Sequence, residues 1–599
     1  MGITRWDRAM GMVLGATALQ PAYSAEMPLP TIEIQEIVVT GSRLKVPDRE
    51  YAAHVVILDR VKIDELGVAS VAELIRYVPQ MPYAFADGFQ FGGAQFAEMR
   101  GLGVDTTLVL INGRRTVPTA INVAVNAFDL NTIPLAAVER VEILSDSASA
   151  VYGADAVGGV INVVLKREID RPVVEASYGT ANGGGEEQRA SLSSGYAGER
   201  AHASFVLDYF DRDFLLGEAR ARWADQDFRR FGGFDWRSSA THPGNISSRT
   251  GGNLPGLPSP FAAVPEGSSG VGLTPSDFLA TAGVRRMASP FAWRSVVTQA
   301  ERRSAAGLLE YDWTPSLTTF AELLYAQRTS VSQSEPATLT NARVPASNPF
   351  NPFGVDVSAS YAFEGIGPRH TVAEQTLERA LGGARGALGA WEWEAAGLFT
   401  QEDSSSWTDN AVNVALANAA LASTDPATAL NVFQDGPGGS QALLQSLLMR
   451  PLTRVSSDGE QLSAFVRGPL FSMAAGEVQV VVGGERRKEA VDFDGAVQLD
   501  HTRTVEAGFA EVRVPLVGGE FRWPAVHELS LTLAGRQDHY SDFGGTFNPQ
   551  YAVRWAPHKD LLLSASYGTS FRAPAIFELF SPRREIVGNV VIDPRRLGE

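Results

Sequence analysis

Apolar and polar residues alternate with a period of two along most of the chain from about residue 171 onward. Leu529, Leu531 and Leu533 alternate with Ser530, Thr532 and Ala534, and Tyr551, Val553 and Trp555 with Ala552, Arg554 and Ala556. Trp391, Trp393 and Ala395 alternate with Glu392, Glu394 and Ala396, and Val478, Val480 and Val482 with Gln479 and Val481. Successive side chains of a strand point to opposite faces, so each segment has an apolar, aromatic face and a small or charged one. Segments of about 10 to 14 residues suit a tilted strand crossing a bilayer, which needs about 9–11. A soluble sandwich also alternates, but with shorter strands and fewer aromatic residues at their ends. Long Gly-, Pro-, Asn- and Ser-rich connections at 232–275, 336–367 and 411–441 contrast with tight turns elsewhere. That is the loop asymmetry of a transmembrane barrel.

Upstream the texture differs. Residues 51–168 mix short apolar runs with helical pieces, which predicts a small α+β domain. A helix is expected over 68–77, entered through Gly67 and ended before Pro79, with buried strands at 107–111 and 160–165. Asn112-Gly113 between two strand-like runs predicts a tight hairpin, because both residues tolerate positive φ. Gly153, Gly158 and Gly159 read as turn-makers. Residues 26–50 form an extended segment, and residues 1–25 read as a signal peptide: Arg5 and Arg8, an apolar stretch, then Ala22-Tyr23-Ser24-Ala25, with cleavage after Ser24 or Ala25.

Composition narrows the function. The chain has 599 residues, no cysteine, and 51 basic against 68 acidic residues, a formal charge of −17. The missing cysteines exclude a disulfide scaffold, a thiolate metal site and a cysteine nucleophile. The acidic balance argues against nucleic acid as a partner. No apolar run reaches the roughly 18 residues of a spanning helix, so any membrane crossing is by strands. Gly101-Leu102-Gly103 starts a dinucleotide fingerprint that Thr106 breaks, and neither a nucleophile elbow nor a tight histidine pair occurs. No enzyme, metal or cofactor is expected.

The run Leu108-Val109-Leu110-Ile111-Asn112-Gly113-Arg114-Arg115 leads to Asp129-Leu130-Asn131-Thr132-Ile133-Pro134 and Val138-Glu139-Arg140-Val141-Glu142-Ile143-Leu144. It closes with Val151-Tyr152-Gly153-Ala154-Asp155-Ala156-Val157-Gly158-Gly159-Val160-Ile161-Asn162. Together these strongly resemble the plug domain of TonB-dependent outer-membrane receptors. Ser570-Phe571-Arg572-Ala573-Pro574, with Glu578-Leu579 after it, resembles a further part of the same family. The resemblance implies an α+β plug domain (51–168) inside a transmembrane antiparallel β-barrel (169–599) in the cell outer membrane. It also implies energy-coupled uptake of a scarce ligand, such as siderophore-bound iron or a glycan. A passive porin-like or adhesive barrel is the alternative.

Glu36, Ile37, Val38, Val39 and Thr40 resemble the TonB box, the segment that pairs with a TonB-type energy-coupling protein in the periplasm. An exposed β-branched peptide suits addition to a partner's sheet edge; an ordinary first plug strand is the other reading. Arg100 and Arg140 match plug positions that in the family pair with barrel carboxylates, a latch between plug and barrel, although Arg140 lies between Glu139 and Glu142 and could pair locally. A small or oligomeric extracellular ligand is expected at Tyr83, Phe85, Phe89, Gln90, Phe91 and Gln95, and at the loop opening with Arg115. The same aromatics could instead pack the plug against the wall.

Strand counting gives about fourteen, whereas plugged transporters have about 22. At ~4.8 Å spacing and ~45° tilt, fourteen strands enclose about 20 Å once side chains are removed, and 22 enclose about 37 Å. A compact plug of this length is about 35 Å across and needs the larger barrel. The chain is therefore expected to be C-terminally incomplete, short of roughly eight strands, in the extreme a product without function.

Overall fold

The computed structural model describes residues 42–44, 55–81, 90–121, 125–146, 148–495, 497–524 and 526–582. The N-terminal domain is built on a five-stranded sheet of β1 (Val55–Asp59), β2 (Thr107–Ile111), β3 (Arg114–Arg115), β4 (Val138–Leu144) and β5 (Gly159–Leu165). Their order is β1-β4-β5-β2-β3, with only β2 and β5 parallel. All five residues of β2 are buried, as expected for a continuous apolar run between layers.

The expected helix at 68–77 is shorter and differently bounded. Asp59 caps α1 (Arg60–Leu66) by accepting from the Lys62 amide, and Gly67 ends that helix in the left-handed region at φ 61°. Ser70 then caps α2 (Val71–Ile75). Gly67 is thus the stop of one helix and not the entry to the next. A last short helix, α3 (Ser149–Tyr152), precedes Gly153, whose φ of 85° turns the chain toward β5.

The Asn112-Gly113 hairpin forms as predicted. Both residues have positive φ, 49° and 75°, which matches the twist of β2 and β3. The turn is tied to β5, because Leu165 N–H donates to Asn112 Oδ1 and Gly113 N–H to Asn162 Oδ1, each at 2.8 Å.

The rest of the chain forms one antiparallel sheet of fifteen strands, from β6 (Val173–Ala181), β7 (Gly184–Ala197) and β8 (Ala201–Arg212) to Leu561–Gly568. Two of the fifteen are fragments, Leu215–Leu216 and Ser295–Val297. Among the described residues β6 pairs only with β7, and Leu561–Gly568 only with Gly544–His558. The alternation read from sequence sorts as expected: Leu533, Tyr551, Val553 and Trp555 lie on the exposed outer face, while Ser530 and Arg554 are buried on the inner one. Several strands exceed the expected length, up to 22 residues in Leu452–Met473. The excess has a polar outer face: along Trp391–Asp409 the outward positions run from Trp391 and Trp393 through Phe399 to Gln401, Asp403 and Ser405. Beyond Phe399 the outward face is mostly polar, with Trp407 the exception.

The first domain touches strands from β7 to Gly544–His558, so the sheet curves around it as a wall around a plug. Its main core, with Leu74, Val109, Leu130, Val141 and Ile161, runs into inward-facing Val206, Leu324 and Leu377 of the wall.

The three long connections are not featureless loops. Asn245–Ser248, Phe261–Ala263, Thr338–Val344 and Val357–Ala362 pair into a four-stranded sheet. With helix Val414–Ala422 they enclose a separate apolar core around Phe278, Tyr361, Phe363 and Phe433. Each loop has too few apolar residues to bury a face alone, and only the three together bury one.

Candidate functional site

The functional geometry lies at the plug–wall interface, where inward-facing charges of the strands meet the plug. At one corner, Glu485 and Asp538 hold the fully buried Arg536, at 2.8 and 3.0 Å. Glu485 also takes the Arg43 guanidinium at 2.5 Å. Ser42 Oγ donates to Glu511 at 2.5 Å, and Arg467 donates to the Arg43 carbonyl at 2.9 Å. The Arg43 guanidinium lies 4.2 Å over the Phe509 ring, and Leu44 is buried beside Phe509 and Val481. The Gly153 backbone lies so near that a Cβ there would meet Arg536 Nε at 3.0 Å. Charges this deep are tolerated only with such dense pairing, since desolvation otherwise outweighs attraction.

A second cluster lies across three adjacent strands. Arg328 pairs with the fully buried Asp129 of the plug at 3.2 Å and donates to the Gly92 carbonyl at 2.9 Å. Its other contacts go to Gln375, which donates to Glu402 at 2.8 Å. Glu402 then accepts from Thr119 Oγ1 and the Ala120 amide of the plug, both at 2.6 Å. Burial pushes the Asp129 carboxyl above its ordinary range although Arg328 and two backbone amides oppose the shift. Nearby, Arg114 pairs with Glu394 and donates to Ser463 at 2.8 Å.

The third contact uses the 570–574 motif. Asp155 N–H donates to the Phe571 carbonyl at 3.0 Å, and Ala573 N–H donates back to the Asp155 carboxylate at 3.2 Å. Asn126 donates to the Ala573 carbonyl at 2.7 Å, and Arg572 joins plug Asp105 to Glu578. The motif is therefore a clip closing on the plug.

The sequence-derived site residues are distributed unevenly over this geometry. Glu36, Ile37, Val38, Val39 and Thr40, and Tyr83, Phe85 and Phe89, lie outside the described residues. Gln90 and Phe91 begin the turn Gln90–Gly93, and their side chains lie outside the described set as well. Gln95 is buried, its backbone N–H donating to Asp129 Oδ1 at 2.9 Å. Arg115 is held within the plug, donating to the carbonyls of Tyr152 and Ala154 at 2.9 and 2.8 Å and pairing with Asp155 at 2.9 Å.

The latch expected at Arg100 and Arg140 is corrected. Arg140 pairs with Glu142 two residues along β4, at 2.7 Å, because alternate residues share a strand face. Arg100 is exposed at φ 58° and makes no ion pair with the wall among the described residues. Among the described residues, wall carboxylates are reached by Arg114 and Arg167 of the plug and by Arg43 just ahead of it. The charged inward positions were visible on the polar side of the alternation, as at Glu394, but not their partners.

This arrangement, an α+β plug tied by polar bridges to the inner face of a greasy-sided antiparallel sheet, defines a plugged membrane receptor of the β class. The comparisons agree. The TonB-dependent Receptor Plug Domain family matches residues 47–160, and the TonB dependent receptor-like β-barrel family matches residues 333–596. The chain belongs to the TonB-dependent receptors, which are receptors and transporters and not enzymes. It is 30% identical over 159 residues to the vitamin B12 transporter BtuB of Photobacterium profundum, covering 26% of this chain and 25% of that protein. The BtuB of Vibrio vulnificus is 28% identical over 220 residues, 32% of this chain and 35% of the relative. Among solved structures, the ferric enterobactin receptor PfeA of Pseudomonas aeruginosa superposes with a TM-score of 0.54 at 15% identity, covering 88% of this chain and 64% of that one. The siderophore receptor PirA of Acinetobacter baumannii gives 0.51 at 13%, covering 87% and 62%. At these identities the structures speak for the fold alone. The chain thus spans less than two thirds of each of these proteins.

Proposed function

We propose that this chain is the plug and wall of an outer-membrane importer that takes up a scarce ligand by energy coupling. A TonB-type protein in the periplasm would pull on Glu36, Ile37, Val38, Val39 and Thr40. The observation that carries this reading is the anchor at residues 42–44: Ser42 and Arg43 are bonded to Glu511, Glu485 and Arg467 of the wall immediately after the box. A pull on an extended peptide therefore meets its first load at a charged joint between plug and wall. A membrane potential supplies about 2.3 kcal/mol per charge per 100 mV, so about two charges moved would match the roughly 3–5 kcal/mol of one such joint.

The sequence relatives are vitamin B12 transporters, which makes cobalamin the first candidate ligand and siderophore-bound iron or a glycan the others; Tyr83, Phe85, Phe89, Gln90 and Phe91 would grip it. Gln95 and Arg115 are committed inside the plug and serve its architecture. The test is uptake of radiolabelled cyanocobalamin and of ferric enterobactin by cells carrying the protein, with and without residues 37–40. Uptake of one of them that vanishes on deletion supports coupled import. Uptake that survives deletion indicates a passive barrel, and uptake of neither contradicts the ligand class.

A further inference from the structure

A cavity of about 360 Å³ lies between the plug and the end of the wall that carries the tight turns, the periplasmic end of such a barrel. The wall residues Arg385 and Glu394 stand opposite each other there, beside the turn that joins Pro368–Leu388 to Trp391–Asp409. In a chain of net charge −17 this lining is cationic, with six arginines against three carboxylates. The carboxylates are all engaged. Glu394 pairs with Arg114, and Glu322 with the buried Arg379 behind it at 3.1 Å. Glu310 has to serve two guanidiniums, pairing with Arg167 and, at 2.8 Å, with Arg385.

The other arginines of the lining find their partners outside it. Arg43 pairs with Glu485, Arg467 with Glu392 at 2.8 Å, and Arg140 with Glu142 through Nε. Arg167 and Arg385 are the best hydrated of the six, their side chains 49% and 38% exposed where the others are 24% or less. They also lie far from the point where the chain enters. The lining strands run from Gln299–Thr314, which carries Glu310, through three others to Leu452–Met473, where Arg467 meets Arg43. Four strand spacings of ~4.8 Å separate the two ends by about 19 Å.

We propose that this cavity is an oxyanion site in the periplasmic mouth, centred on Arg167 and Arg385, for a molecule bearing carboxylate or phosphate groups. A planar guanidinium fork binds either group through two parallel hydrogen bonds. An incoming oxyanion supplies the charge that Glu310 cannot give to both arginines, and a cleft lined by one sign of charge concentrates the opposite ion. The volume suits a small molecule. The inference deepens the coupled-import reading and rests on it for its role: a ligand that has passed the plug is held here before it leaves, and that ligand carries acidic groups, unlike an uncharged glycan.

Citrate and pyrophosphate are the probes, titrated calorimetrically into the purified full chain in detergent at an ionic strength fixed with sodium chloride. Saturable binding is expected, weakened about tenfold by Arg167→Gln or Arg385→Gln, the lower end for a hydrogen bond to a charged group. Glu310→Gln should tighten it severalfold by freeing both guanidiniums, whereas damage to the fold would weaken it. Arg229→Gln, at an exposed position of an outer loop, should change nothing. No saturable binding, or binding indifferent to Arg167, Arg385 and Glu310, overturns the proposal. So does binding that emerges only once residues 26–40 are deleted, since Glu26, Glu33 and Glu36 of the chain itself would then be the occupants. Neither uptake nor a coupling partner enters the measurement, so the site and the import reading fail separately.

Discussion

Two contacts between plug and wall differ in what joins them. The corner at residues 42–44 and Gly153 is held by buried ion pairs among Arg43, Glu485, Arg536 and Asp538. The strip 114–121 is held by one partly exposed ion pair, Arg114 to Glu394, by hydrogen bonds and by one small-residue notch, where Val117 meets Gly459. The first kind of joint is strong while complete and collapses when one partner is lost. The second yields bond by bond. The corner is therefore the stiffer joint and the strip the more divisible one.

The largest expected effect comes from breaking the corner. Glu485→Ala leaves Arg536 and Arg43 without their shared counter-charge, and removing one partner of a buried pair costs about 3–5 kcal/mol. Urea unfolding followed by tryptophan fluorescence should show a matching fall in midpoint.

The buried Asp155 carboxyl beside Arg115 contributes a pH dependence. Burial pushes the Asp155 carboxyl up to about 6 from 3.8, outweighing Arg115, Arg487 and the Ala573 amide, with Glu489 adding to the rise and Tyr540 also facing it. Between those two values the folded chain keeps a proton that the unfolded chain has released. Its stabilisation is complete below about pH 4 and is lost as pH rises through about 6, to a limit of about 3 kcal/mol for two pKa units. Unfolding at pH 4.5 and 7 should show this trend in the parent chain, and Asp155→Asn should lack that share of it.

Filling the notch comes next. Gly459→Val forces Val117 off the wall, an overpacking cost of about 1–3 kcal/mol, and should raise maleimide labelling of a thiol at position 117. Arg114→Ala is the mildest change: Glu394 is near enough to water to be rehydrated, so about 1 kcal/mol is expected, read as a small shift in the same urea midpoint.

The periodicity of Leu529, Leu531 and Leu533 or of Tyr551, Val553 and Trp555 was enough to orient those strands, because a strand's face is fixed by parity alone. Asn112-Gly113 likewise announced its turn, since local backbone sterics decide it. The partners of Arg43 and Arg114 were not legible: Glu485 lies 442 positions from Arg43 and Glu394 lies 280 from Arg114. Only strand register and sheet curvature bring them together. The family resemblance put Arg140 in the latch, and strand geometry gave it to Glu142, the local partner that proximity in sequence had also offered. The loop sheet escaped for the same reason, since Asn245–Ser248 finds its partner in Val357–Ala362 more than a hundred residues away.

Hydrogen exchange of the full chain carrying Glu485→Ala or Arg114→Ala, read peptide by peptide, tests most directly whether the corner is the stiffer joint. Glu485→Ala should lower protection across β1, β4 and β5, whereas Arg114→Ala should lower it only around residues 114–121. Equal losses from the two substitutions, or a purely local loss from Glu485→Ala, would contradict it.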